Sequence, residues 1–160
     1  IQESIQKLGF KVVVFGAHPI VIDYIKENKL PYEVFDRHGL AHHDLLRLMG
    51  KSAVYLGNSI SDGMPNTLLE AIIMGAFPIQ SNPGNVTAEI ITEGENGFLI
   101  ENPNDDNAIS NLIIKVLQQP EWLQKAFEIN QKIAKERLDY VVNQQKIVAL
   151  YHQIENDTCE

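Results

Sequence analysis

The chain changes hydrophobic period repeatedly between Lys11 and Ile100, and that alternation limits what it can become. The segments "KVVVFG" (11–16), "YEVFD" (32–36), "AVYLGNS" (53–59), "FPIQS" (77–81) and "GFLI" (97–100) are short and rich in β-branched and aromatic residues, the composition of strands. "HPIVIDYIKENK", with Pro19 at a first helical position, carries apolar residues at helical spacing. "AHHDLLRLMGKS" reads as a helix ended near Gly50, and "PNTLLEAIIMG" as one opened near Pro65 and closed at Gly75. "VTAEIITEG" reads as a short helix closed by a glycine turn. Strands that alternate with helices through short loops build βαβ units. The expected fold is α/β, a Rossmann-like parallel sheet with helices on both faces. "KVVVFG" has the unbroken apolar character of a buried strand.

Residues 105–155 are helical in pattern, with interruptions near Pro120 and Asp139 and no strand of comparable quality. The expected organisation is therefore an α/β unit over 1–118 and a C-terminal helical extension over 119–160. The start, "IQESIQKLGF", places Ile1, Ile5 and Leu8 at helical spacing before Gly9, without an initiator Met or a signal-peptide pattern. We read it as the beginning of a fragment of a longer protein, with the first strand of the unit upstream.

Composition narrows the function. The 160 residues suit one domain, and 44% hydrophobic with 21% charged residues describes a globular chain with material for a core. No run approaches the roughly 18 apolar residues that span a bilayer. A net charge of −8 argues against gripping nucleic acid or an anionic membrane. The single cysteine, Cys159, lies in a polar tail, so neither an internal disulfide nor a cysteine metal site is expected.

In open α/β sheets, ligands sit beyond the carboxyl ends of the strands. The loops there are "GAHP" (16–19), "DRHGLAHH" (36–43), "NSISDGMP" (58–65) and "SNPGN" (81–85). The third leads into the helix "NTLLEAIIMG", which is apolar almost all round except for Glu70. On a wheel of about 100° per residue, Ile73 and Met74 flank Glu70, and the polar Asn66 and Thr67 lie one turn back. A carboxylate among apolar neighbours is costly without a partner. Two readings fit. Glu70 pairs with a cation such as Lys51 or Arg37, after an ordinary turn. Alternatively, the free N–H groups at the helix start hold an anion while Glu70 holds hydroxyls, as a nucleoside diphosphate with its ribose would require.

The segment "SDGMPNTLLEAIIMGAFPIQSNPGNVTAEIITEGENGFLI" resembles the donor site of retaining glycosyltransferases of GT-B fold, the glycosyl transferases group 1 family. The resemblance extends over residues 10–118. Its core is a pair of acids, Asp62 and Glu70, with seven residues between them, followed by "EAIIMGAFPI" and by Glu89 ahead of the turn "GENG". The resemblance implies one half of a GT-B fold. Asp62 would act beside the donor sugar, and Glu70 would bind the ribose hydroxyls. The backbone of Gly63, Met64, Pro65, Asn66 and Thr67 would face sugar and diphosphate. Gly16, His18, Arg37 and His38 would lie near the phosphates and base.

It further implies a UDP- or GDP-linked hexose-type donor as substrate, and neither a metal nor a separate cofactor. A glycan or lipid acceptor would be bound by an upstream domain, which would also make any peripheral membrane contact, while an Arg and a Lys for the diphosphate would follow the first strand of this unit, upstream of Ile1. The expected setting is bacterial polysaccharide synthesis in the cytoplasm, at the inner face of the membrane, and the fragment alone would transfer no sugar. Two departures stand out. Asp62 replaces a more usual Glu, and His18 replaces a Gly, so that His18 either touches phosphate or is a solvated loop residue. His42 and His43 read as first-turn helix residues, not as metal ligands. The alternatives are a sugar-nucleotide epimerase domain and a receiver-like regulatory module. The latter needs clustered Asp residues at early strand ends, where only Asp36 stands.

Overall fold

The computed structural model describes residues 2–157, without the side chains of Gln2, Asn156 and Asp157. Five strands alternate with helices in chain order: α1 (Gln2–Lys7), β1 (Val13–Ala17), α2 (Pro19–Glu27), β2 (Glu33–Asp36), α3 (His42–Met49), β3 (Val54–Gly57), α4 (Asn66–Met74), β4 (Phe77–Ser81), β5 (Phe98–Ile100), α5 (Asp106–Leu117), α6 (Pro120–Ile133) and α7 (Tyr140–Asp157). All strand pairings are parallel. The α/β class and the five strand segments are as the sequence predicts.

The sheet is not continuous. β1 pairs with β2, and β3–β4–β5 form a separate ladder. The central strand β4 is buried at every position, which suits the run "FPIQS". Ile79 on β4 and Leu68, Ala71 and Ile72 on α4 are wholly buried. Ile79 lies on the same sheet face as Phe77, where both pack with Phe98 and Ile100, with Ile109 and Val116 of α5 and with Ala126 of α6. α6 thus shares the core of the α/β unit. β1 departs from expectation: Val13, Val14 and Phe15 are only half-buried.

The helix α4 is closed by Gly75, whose φ of +93° is the left-handed conformation that favours glycine. Past it, Phe127 of α6 packs so closely that a Cβ on Gly75 would lie 2.7 Å from its ring.

The short helix expected in "VTAEIITEG" is a 3-10 turn confined to Thr87–Glu89. Side chains capture the backbone here. Thr87 Oγ1 donates to Ser81 O at 2.9 Å. Asn96 Nδ2 donates to Ile90 O at 2.9 Å, and its Oδ1 accepts from Thr92 N at 2.6 Å. The groups that would extend a helix are occupied, and Ile90 and Ile91 turn into the core. Asn96 is held in turn by the buried Asn130 of α6, through Nδ2 to Asn130 Oδ1 at 2.9 Å and Asn130 Nδ2 to Asn96 O at 3.0 Å.

Beyond Asp139 the helix α7 exposes Tyr140, Val141, Ile147, Leu150 and Tyr151. No described helix is long and apolar enough to cross a membrane.

Candidate functional site

Parallel strands bring all their carboxyl ends to one side, and the loops that follow β1, β2, β3 and β4 gather there. The loop after β3 is tied to the end of β4: Ser59 N donates to Ser81 Oγ at 2.8 Å. It then runs through exposed Asp62 and Gly63 to half-buried Met64 and buried Pro65. Pro65 is the N-cap of α4 and supplies no side-chain cap. Asn66 and Thr67 therefore open the helix with the positive end of its dipole facing the loop.

Glu70 lies one turn further in, with its side chain 25% exposed. Its Oε1 lies 2.8 Å from His42 Nε2, on the first residue of α3. The partner is thus an imidazole, neither Lys51 nor Arg37. His42 opens its helix as the sequence predicts, and its side chain also reaches the acid. The contact engages Oε1, and a carboxylate's second oxygen can accept from a ligand.

Thr67 Oγ1 is 2.9 Å from the Tyr55 hydroxyl of β3. Burial pushes the Tyr55 phenol above its ordinary value. The Thr67 hydrogen bond works the other way, and the Asp62 and Glu70 carboxylates add to the upward push. The Thr67 hydrogen bond places the Tyr55 hydroxyl beside the first turn of α4. Beside it, Gln80 Oε1 is buried without a hydrogen-bond partner among the described residues. Gly57 makes this packing feasible, since a Cβ there would overlap the Gln80 amide and lie 2.9 Å from the Tyr55 hydroxyl.

The other sequence-derived residues are more peripheral. Gly16 has a φ of +63° with open space where a Cβ would project. His18 caps α2, its Nδ1 accepting weakly from Ile20 N at 3.4 Å. Arg37 and His38 are exposed in the turn after β2, where His38 N donates to Asp36 Oδ1 at 2.8 Å.

Sequence reasoning missed Tyr55 and the contact made by His42. The hydroxyl of Tyr55, on a strand ending just before the acidic loop, is a signal that could have been used. The His42–Glu70 contact joins residues 28 apart and has no local signature. A cavity of about 680 Å³ lies between β1 and β3; it is lined by Tyr55 but by neither acid.

Comparison with known proteins bears on this arrangement. Residues 3–154 match the family described as glycosyl transferases group 1. Among solved structures, the chain is similar to the pneumococcal O-GlcNAc transferase GtfA in complex with UDP and GlcNAc (20% identity, TM-score 0.70, 95% of this chain and 31% of that one). It is also similar to Anabaena HepE in complex with UDP (20%, 0.71, 94% and 44%). A third similar structure is sucrose-phosphate synthase from Thermosynechococcus elongatus (16%, 0.75, 98% and 49%). The chain spans less than half of each. No curated protein matches.

Proposed function

We propose, for a chain that belongs to the glycosyl transferases group 1 family, that the loop after β3 and the helix α4 bind the nucleotide-sugar donor of a retaining glycosyl transfer. The observation that carries the reading is Glu70, a half-buried carboxylate one turn inside an uncapped helix start, held on one oxygen by His42. Its other oxygen takes the ribose hydroxyls. The first amides of α4 take the diphosphate, where negative charge grows as the bond to the sugar breaks. Asp62, exposed at the loop tip, acts at the sugar.

UDP is the first donor nucleotide to test, with GDP second, since GtfA and HepE are structures with UDP bound. The acceptor, a glycan or a lipid, is bound by chain outside these 160 residues, so the 160 residues alone transfer no sugar. We place the reaction in the cytoplasm, in the synthesis of a polysaccharide.

The test uses the whole protein that contains this chain, with UDP- and GDP-sugars, oligosaccharide and lipid acceptors, and NMR to read the anomeric configuration of the product. Transfer with retention is expected. Asp62→Asn should lower turnover by about tenfold or more while UDP binding changes by no more than about threefold, the pattern of a contact made mainly in the transition state. Inversion would overturn the mechanism. An equal loss of UDP binding and turnover would remove Asp62 from the sugar.

A further inference from the structure

We propose that the Thr67 hydroxyl is a side-chain donor to the diphosphate of the nucleotide, and that Tyr55 is the positioning residue that aims it. This rests on the donor-site reading above and adds to it two side chains that the reading leaves without a task.

The direction of one hydrogen bond decides the roles. Tyr55 is buried, and its hydroxyl lies 2.9 Å from Thr67 Oγ1, where either oxygen could be the donor. A buried phenol needs an acceptor for its proton. Two acceptors are near. Tyr55 and Gly57 point to one face of β3, and Gln80, the parallel partner of Gly57 on β4, points to the same face. A Cβ on Gly57 would meet both the Gln80 amide and the Tyr55 hydroxyl, so these two groups are close. Yet Gln80 Oε1 has no hydrogen-bond partner among the described residues. The phenol proton therefore goes to Thr67. Burial holds the phenol above its ordinary value, so that proton stays in place at neutral pH.

A hydroxyl that accepts on its oxygen keeps its own proton to give. Inside a helix, a threonine commonly gives it to the carbonyl three or four residues back. Thr67 is the second residue of α4, and those carbonyls belong to Met64 and Gly63 of the loop. Among the described residues, the Thr67 hydroxyl bonds to Tyr55 and to neither of them. Its proton is uncommitted. Residues three and four apart are neighbours on a helix. Ala71, four on, is wholly buried, and Glu70, three on, has its side chain 25% exposed. Half-buried Thr67 thus stands on the line between the core and the site.

A diphosphate matches what this line offers. Its oxygens only accept, and the start of α4 presents backbone N–H groups without a side-chain cap. Thr67 adds one O–H beside them. With Tyr55 donating to Thr67 and Thr67 to phosphate, each bond polarises the next. The chain strengthens as negative charge grows on the departing diphosphate. Its parts are held in advance: the acidic loop is fastened at Ser59 by Ser81 Oγ, at 2.8 Å, and past its other end at Thr67 by Tyr55.

The test is calorimetric titration of UDP, and NMR titration of uridine, into the whole protein and its Thr67→Val, Tyr55→Phe and double variants. GDP and guanosine replace them if GDP binds better. Each single variant should weaken UDP by about three- to tenfold, the range of one hydrogen bond, and leave uridine, which lacks the phosphates, unchanged. The double variant should lose no more than Thr67→Val alone, because Tyr55 acts through Thr67. Thr67→Ser, which keeps the hydroxyl, should restore most of the UDP affinity. If Thr67→Val does not fold, the near-isosteric Tyr55→Phe carries the same comparison of UDP with uridine. Glu70→Ala tests the donor reading itself and should weaken UDP and uridine alike. An unaltered protein that binds neither UDP nor GDP would end that reading and this assignment with it. Where the unaltered protein binds UDP, three results would overturn the assignment alone: unchanged UDP affinity in the single variants, a loss shared equally by uridine, or additive losses in the double variant.

Discussion

The two ladders of this molecule carry similar apolar sequence and reach different degrees of burial. β4 sits between two strands with α4 on one face and α5 and α6 on the other, and Ile79 is wholly buried. β1 has one neighbour and remains half-buried. The difference shows that apolar composition alone does not bury a strand; neighbours on both edges and both faces do. It also separates tasks. The filled half fixes α4 with Glu70 and the loop that carries Asp62, and the open half supplies His42 and the loops that complete the rim.

Truncations in the two ladders test that contrast most severely. Ile79→Ala should cost about 2–5 kcal/mol, because it empties a close-packed position. Val14→Ala should cost under about 1 kcal/mol in the 160-residue chain, since a half-exposed side chain has less transfer free energy to lose. Urea unfolding of both variants measures the gap. Equal costs would mean that the two ladders are equally well packed.

The asparagine pair offers a middle-sized effect. Asn130→Leu removes the partner of Asn96 Nδ2 and of the Asn96 carbonyl, and buried groups left unpaired cost about 1–3 kcal/mol. The loss should fall on the filled half and be visible in the same unfolding experiment. A cost below about 0.5 kcal/mol would show that the turn at Asn96 holds itself.

His42→Ala should have the smallest effect on stability, below about 0.5 kcal/mol, because its side chain is 68% exposed. UDP binding by the whole protein should weaken by about two- to fivefold as Glu70 loses its anchor, which corresponds to under about 1 kcal/mol. Rescue by His42→Gln, which restores a donor, would support positioning over bulk. Unchanged UDP affinity in His42→Ala would remove His42 from the site.

Much of the fold was legible because local signals agreed with it. Pro19 opens α2, Gly75 closes α4, and "FPIQS" spans β4 from its first residue to its last. Asp62 and Glu70 were legible as a pair through their spacing, and Glu70 through its apolar neighbours. The missed features depend on contacts distant in sequence. The 3-10 turn at Thr87 arises because residues outside the segment take partners within it: Ser81 O accepts from the Thr87 hydroxyl, and the Asn96 amide donates to Ile90 O. His42 reaches Glu70, and Asn130 reaches Asn96, across 28 and 34 residues. The half-burial of β1 was not legible, because a strand's composition records the burial it needs and not which neighbour supplies it.

Glu70 is where the filled half meets the proposed chemistry. The measurement is calorimetric titration of UDP and of GDP into the whole protein and into its Glu70→Ala variant, with the stability of both recorded. The account predicts that the better-binding nucleotide loses about 10- to 150-fold in affinity, the effect of removing charged hydrogen bonds worth about 1.5–3 kcal/mol. Stability should change by less than about 1 kcal/mol, since the acid's side-chain hydrogen bond is to the exposed His42. Unchanged nucleotide affinity in a folded variant would contradict the assignment of Glu70 to the ribose.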